Sequence, residues 1–427
     1  MPYLKEVIAD VLENYPNKID RLVFVTTGKR PALFLKKHFA EQVKHATIAP
    51  EFIGIADLFT RISGVQPIST LPLLFEFYDC YTKVHQEQHK DTPDTFEEFL
   101  SWGQTALKDF SEIDQYLVNP EKIFPYIHAL KEVEHWSGMD ERTEMQEKYL
   151  AFWRRLGDYY FALNKRLEEL GKGYGGYIAK KAVEKLPQYL QTHTDTIHIF
   201  VGFNALSEAE QKVIQSILID IGGEIYWDGD TYFFKNQTHE AGYFLRKYLK
   251  NWRYYKTLNH TPKFIGSHYE EEKEFHLTGV PKNVNQAHSV AALLKELSSA
   301  ELEKTALIIA DENLLIPMLQ SVQTGTAVNI TMGYPLQQTP LNDLFTTYFR
   351  LHLSKSFYYK DVLNLLSQPF LHSLLSAEAV TAIATYIKEN NLTYLSREKL
   401  LENTPKDQQE ILNLLFPKGK DKAFITT

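Results

Sequence analysis

The spacing of apolar positions changes several times along this chain. Leu22–Val25 is a short continuous run of β-favouring apolar residues, and Pro31 to Gln42 then carries Leu33, Phe34 and Phe39 at helical spacing, with Lys36, Lys37 and His38 between them. Phe52-Ile-Gly-Ile55 reads as a second short strand and Ala56–Ser63 as a helix closed by Gly64. Strand alternating with helix predicts a parallel α/β sheet. The strand signal then stops. Phe75–Tyr78, Phe96–Trp102, Leu107–Tyr116, Ile123–Trp136 and Met145–Leu170 repeat their apolar residues every three or four positions, up to a glycine-rich break at Gly171–Gly176. This predicts a helical insertion. Strands return at Thr196–Val201 and Gly223–Asp228, with a helix over Glu208–Ile219 between them, so the sheet begun at Leu22 is expected to resume here. Glu274–Gly279 and Thr305–Ala310 read as strands of a further α/β segment, flanking a helix over Gln286–Leu297. Beyond Tyr358 the pattern is helical again, over Tyr359–Leu366, Ala377–Glu389 and Gln408–Leu415.

These patterns predict an α/β chain of parallel-sheet domains carrying large helical insertions. One α/β domain takes residues 1–75 plus 191–265, around an insertion over 76–190. A second, partial α/β domain covers 266–355, and a helical segment over 356–427 reads as truncated. A length of 427 residues exceeds what one core organises and fits this division. The formal net charge of -8 means that any contact with nucleic acid must come from local basic patches. A single cysteine, Cys80, excludes an internal disulfide and argues against a cysteine-ligated metal. A reducing cytoplasm fits it. The N-terminus lacks the basic-then-apolar order of a signal peptide, and no apolar run is long enough to span a membrane.

The most pointed chemistry lies just after the first strand. Thr26-Thr27-Gly28-Lys29-Arg30-Pro31 sits between a strand and a helix, as a phosphate-binding loop does. A working loop follows GxxxxGK[ST], so that backbone N–H groups and the lysine surround the phosphates. Here there is one glycine and one lysine, and Arg30 replaces the Mg²⁺-binding hydroxyl. An ATPase also needs an acid at the end of a later strand. The natural candidate, Ile197–Val201, continues Gly-Phe-Asn-Ala205 without one. ATP binding and hydrolysis are therefore not expected, and no catalytic residue is assigned.

Other constellations are weaker. Glu271-Glu-Lys273 matches half of a metal-dependent nuclease motif but lacks an upstream aspartate partner, and reads as a solvated charge run. The 15 histidines show no zinc spacing, and no Gly-x-Ser-x-Gly elbow occurs, so no metal site or triad is expected. Phe244 to Lys256 interleaves Arg246, Lys247, Lys250, Arg253 and Lys256 with Tyr248, Trp252, Tyr254 and Tyr255. Single-stranded nucleic acid is held by such mixtures, cations on phosphates and rings on bases; the plainer reading is an amphipathic helix with a charged outer face. Lys29, Arg30, Lys36 and Lys37 form a second basic cluster, and Lys172, Lys180, Lys181 and Lys185 a third.

The order of parts resembles the AddB-like subunits of AddAB/RecBCD-type helicase–nucleases, the PD-(D/E)XK nuclease family proteins. The resemblance rests on Phe24-Val-Thr-Thr-Gly-Lys-Arg30, Pro50-Glu-Phe-Ile-Gly-Ile-Ala-Asp-Leu-Phe59, Phe99–Gln104 with Asp109–Leu117, Phe200–Gln211 and Val284–His288, and it runs to about residue 370. It implies superfamily 1 helicase-like, RecA-like domains with an inactivated nucleotide loop, and a nuclease domain beyond Thr427. It also implies DNA (a single strand or a tailed duplex) and an AddA-like motor helicase–nuclease as partners. No cofactor is implied for this chain. In such folds the segment after the first motif lies along the DNA backbone, which would place Ile55 to Asp57 near the strand. The DNA-binding candidates are then Lys36, Lys37, Ile55, Asp57, Arg246, Lys250, Trp252 and Arg253. An unusual active ATPase, with Lys29 and Arg30 clasping the phosphates, and a pure protein–protein assembly module are the alternatives.

Overall fold

The computed structural model describes residues 3–44, 46–89, 92–136, 143–263, 266–322, 327–354 and 356–416. The tail of the expected segment over 356–427 thus lies partly outside the described residues. The chain divides into two compact units, Met1–Phe275 and His276–Thr427.

The first unit opens with α1 (Tyr3–Asn14), β1 (Leu22–Thr26), α2 (Lys29–Gln42), β2 (Glu51–Gly54) and α3 (Ile55–Ser63). A two-residue strand, β3 (Gln66–Pro67), leads into the helices α4 (Thr70–Val84), α5 (Phe96–Gln115), α6 (Pro120–Trp136) and α7 (Glu144–Leu170). After β4 (Lys172–Gly173) and α8 (Gly175–Thr192) come β5 (Ile197–Phe203), α9 (Glu208–Asp220) and β6 (Gly223–Trp227). The short helices α10 (Thr231–Lys235), α11 (Tyr243–Asn251) and α12 (Arg253–Lys256) close the unit.

Four strands form one parallel sheet in the order β2-β1-β5-β6. Leu22 pairs with Ile197 and Thr26 with Val201, so the sheet begun at Leu22 does resume after the helical block. β1 is buried along its whole length because it is covered on both faces. Side chains alternate between two cores, as the pleat requires. Leu22, Phe24, Ile199, Val201 and Tyr226 pack against Val7, Ile8 and Val11 of α1 and Leu35 and Phe39 of α2. Val23, Val25, Phe200, Phe203, Ile225 and Trp227 face the opposite side, where α3, α8 and α9 supply Leu58, Ala182 and Val213. That second core runs without a break into the helical block through Phe77, Phe99, Phe110 and Tyr160.

The second unit contains α13 (Asn283–Glu296), α14 (Ser299–Leu302), α15 (Leu315–Ser321) and α16 (Pro340–Leu353), then β7 (Phe357–Tyr358), α17 (Tyr359–Leu366), α18 (Ala377–Glu389), β8 (Tyr394–Leu395), α19 (Arg397–Glu402) and α20 (Gln409–Leu415). α16 to α20 share an apolar core around Leu351, Leu365, Ile383 and Leu412. The strands expected at Glu274–Gly279 and Thr305–Ala310 are not formed. Both stretches lack ladder partners among the described residues, which leaves Phe275, Leu277 and Ile308 almost fully exposed. Apolar alternation supplies a strand's side chains but not the neighbour whose backbone must complete it.

Candidate functional site

In an open parallel sheet, ligands are expected outside the carboxyl ends of the strands, where the chain's direction of travel across the sheet reverses. Here that point is β1, with β2 on one side and β5 on the other. Two residues, Thr27 and Gly28, join β1 to α2. Thr26 is buried, and its hydroxyl is directed back at the carbonyl oxygens of Gly28 (2.7 Å) and Ile53 (3.2 Å), tying the turn to β2. Gly28 is extended and caps α2 with no side-chain acceptor. A Cβ there would meet nothing within 4 Å. The turn therefore has neither the length nor the close backbone approach of a phosphate cradle. Thr27, Lys29 and Arg30 are exposed at its rim.

The neighbouring turns are also committed to structure. Asp57 accepts the Gly54 N–H at 3.1 Å, capping α3, while Ile55 is buried in the core and not presented at the surface. After β5, the N–H of Leu206 donates to the Tyr248 hydroxyl at 2.8 Å, and the stretch Asn204–Ala205 carries no acid. Beyond β6, Asp230 accepts the N–H groups of Tyr232 (2.9 Å) and Tyr269 (3.0 Å).

The basic-aromatic stretch divides differently from the base-stacking expectation. Trp252 is 2% exposed, and Tyr248, Tyr254 and Tyr255 are buried with it, so these rings belong to the core. Trp252 donates its indole N–H to Gln211 at 3.1 Å. Arg246 is spent on the carbonyls of Phe233 (2.9 Å), Asn236 (2.8 Å) and His239 (2.6 Å). Lys247, Lys250, Arg253 and Lys256 remain exposed, which is the plainer amphipathic arrangement. The third basic cluster is dispersed: Lys180 meets Asp114, Lys181 meets Glu184, and Lys185 donates to the Ser63 carbonyl. Lys273 folds onto the carbonyls of His268 and Glu271, and Glu271 pairs with His268, so the half-motif builds a local turn. Among the described residues no three His, Cys, Asp or Glu side chains gather as a metal site, and no helix is long and apolar enough to cross a membrane.

Comparison with protein-family models and with curated proteins finds no match.

α2 departs from its expected orientation. Its buried face is Ala32, Leu35 and Phe39, whereas Leu33 is 67% and Phe34 45% exposed. Periodicity misassigned these two because Leu33, Phe34 and Leu35 are consecutive, so a helical stripe can be drawn through any of them to Phe39. Lys29, Arg30, Lys36 and Lys37 are all exposed on the same helix, and none closes a salt bridge among the described residues. Glu41, its single acid, is held by His38 at 3.0 Å.

One titratable group lies at the opposite end of the sheet. His198 is fully buried on β5, shares a 2.9 Å hydrogen bond with the Tyr189 hydroxyl, and leaves Nδ1 without a partner among the described residues. Burial pushes its pKa down to about 4, aided by His193 and Arg61. The folded state thus resists a proton that the unfolded chain accepts near the ordinary value. Stability from this site is intact above about pH 6.5 and is lost as pH falls toward 4, by about 3 kcal/mol in all. Urea titrations between pH 7 and 4.5 should show this loss, and His198→Phe should flatten it; an unchanged slope in that variant would assign the acid sensitivity elsewhere.

Proposed function

We propose that this chain is the non-catalytic, helicase-like, DNA-binding scaffold region of an AddB-like subunit, acting in double-strand-break repair and DNA end processing beside an AddA-like motor. The observation that carries the reading is the β1–α2 junction. Gly28-Lys29 stands at the reversal point of a parallel sheet, as a nucleotide loop would, but on a two-residue turn with no acid after β5. A sheet with this edge and exposed cations beside it can hold a strand without turning over ATP. The order of sequence segments set out above supports the same reading, and with it a RecA-like ancestry for the sheet.

The test is equilibrium binding of a labelled tailed duplex, followed by fluorescence anisotropy across a salt series. Submicromolar binding that weakens steeply with salt is expected, because each neutralised phosphate releases counterions. Absence of binding at low salt overturns the DNA reading. The same preparation should show no DNA-stimulated ATP hydrolysis, and a turnover abolished by Lys29→Ala would contradict the inactivated loop.

A second reading, an assembly module that never touches DNA, is favoured by one observation. The exposed extended stretches of the second unit, with Leu277 and Ile308 bare to solvent, have the character of a surface completed by another polypeptide segment.

A further inference from the structure

The six exposed positions over Lys29–Lys37 of α2 fall into two ridges. Lys29, Leu33 and Lys36 follow one another at i, i+4 and i+7, and Arg30, Phe34 and Lys37 do the same beside them. Residues so spaced lie on one face of a helix. Each ridge is therefore a cation, an apolar side chain and a second cation, with the end charges about 10 Å apart along the helix axis. Behind them Ala32, Leu35 and Phe39 fix the helix to the sheet, so the platform is rigid.

Phe34 is the informative member. Roughly half of its surface is sunk against the protein and half is open, and it makes no ring contact among the described residues. Some other exposed rings of this unit rest on neighbouring rings, Phe75 stacked on Phe96 and Tyr243 edge-on to Phe244. An aromatic face held open between two exposed cations matches a ligand that alternates flat apolar groups with negative charge. In a chain of net charge -8, four exposed cations on one helix that carries a single acid, Glu41, are a local departure that selects a polyanion.

Resting on the DNA-binding reading above, we infer that the outer face of α2 is the single-strand contact. Phe34 stacks a base, Leu33 packs beside it, and Lys29, Arg30, Lys36 and Lys37 meet the flanking phosphates. This moves the stacking function away from Trp252 and its neighbours, which the core has absorbed. It also gives the degenerate loop a use: with no nucleotide to close around, the start of α2 is left open to a strand.

The experiment is anisotropy with a labelled oligothymidylate and with an abasic strand of equal length, on the full chain and three variants. Phe34→Ala should weaken oligothymidylate binding about ten-fold, and should leave abasic binding unchanged, since base stacking is what is removed. The double variant Arg30→Gln with Lys37→Gln should weaken both strands and reduce the salt slope by about 1.4. Lys212→Gln, at an exposed position of α9, should leave both unchanged. All these positions are exposed, and thermal melts matching the parent establish that the fold is kept. If the parent chain binds both strands and the α2 variants bind as it does, the assignment to α2 is overturned while the DNA reading stands. If the parent binds neither strand, the DNA reading itself falls, and α2 is left with a protein or a lipid surface as its occupant.

Discussion

Replacing Asp114 by alanine is expected to destabilise the first unit by about 4 kcal/mol. Asp114 sits on α5 with 1% of its side chain exposed, yet it is surrounded by donors: the Tyr160 hydroxyl at 2.5 Å, the Tyr174 hydroxyl at 2.6 Å and the Lys180 ammonium at 3.0 Å. Three helices, α5, α7 and α8, and the turn before α8 therefore converge on one carboxylate. Both tyrosines are held protonated, with pKa values raised by burial first and by the charge of Asp114 second. Removing the carboxylate leaves two buried hydroxyls without their acceptor and Lys180 without its counter-charge. The cost exceeds that of an exposed ion pair several-fold because water cannot replace the lost partner. All five tryptophans lie in the first unit, so urea unfolding followed by tryptophan emission reads that unit selectively. Asp114→Asn, which keeps an acceptor oxygen, should lose about half as much. A loss below about 1 kcal/mol for the alanine variant would show that the network is not a determinant of stability.

The second large effect is expected at Gly176, near the start of α8. A Cβ built there lies 2.1 Å from the Ser111 carbonyl oxygen and 2.7 Å from its Cα. Those are backbone atoms of α5, so relief requires moving one helix against the other. The crossing is further fixed by the Gly176 N–H donating to the Ser111 hydroxyl at 3.1 Å. Gly176→Ala should cost about 3 kcal/mol net. That figure stands despite the roughly 1 kcal/mol by which alanine is the better helix former. The adjacent Gly175 is the control, since its nearest neighbour is a flexible glutamine side chain at 4.0 Å. Gly175→Ala should be within about 0.5 kcal/mol of the parent. Equal losses at both positions would mean that backbone entropy at the helix start, not contact between α5 and α8, sets the cost.

The central sheet was legible in the amino-acid pattern because its middle strands are buried on both faces. Such strands must be apolar almost throughout, as Leu22–Val25 is and as Ile197–Val201 is except for His198. The long helices of the insertion were legible for the matching reason, their apolar residues recurring at three and four. Thr305–Ala310 shows the limit of this logic. Its residues favour a strand, but a strand exists only with a partner, and pairing is not a local property. Trp252 shows a different limit. An aromatic among lysines is consistent with a base-stacking surface and with a core face, and only the position of α9 behind it decides. Asp114 carries no signal in the sequence at all, since its partners are 46, 60 and 66 residues away.

The placement of β1 between β2 and β5 has a consequence for biosynthesis. Roughly 140 residues separate Gly54 from Ile197, and at about 5–20 residues per second their synthesis takes on the order of ten seconds or more. Throughout that interval β1 has a partner on one edge only, and its other edge presents open backbone to the cell. The insertion cannot wait for the sheet, because its apolar helices emerge first and share a core with strands not yet made. Folding of this unit on the ribosome is thus expected to pass through a helix-rich species that becomes competent only when Ile197–Phe203 has cleared the exit tunnel. Slow codons placed just after that segment would give the sheet time to close, whereas a pause shortly before it would prolong exposure of an aggregation-prone edge.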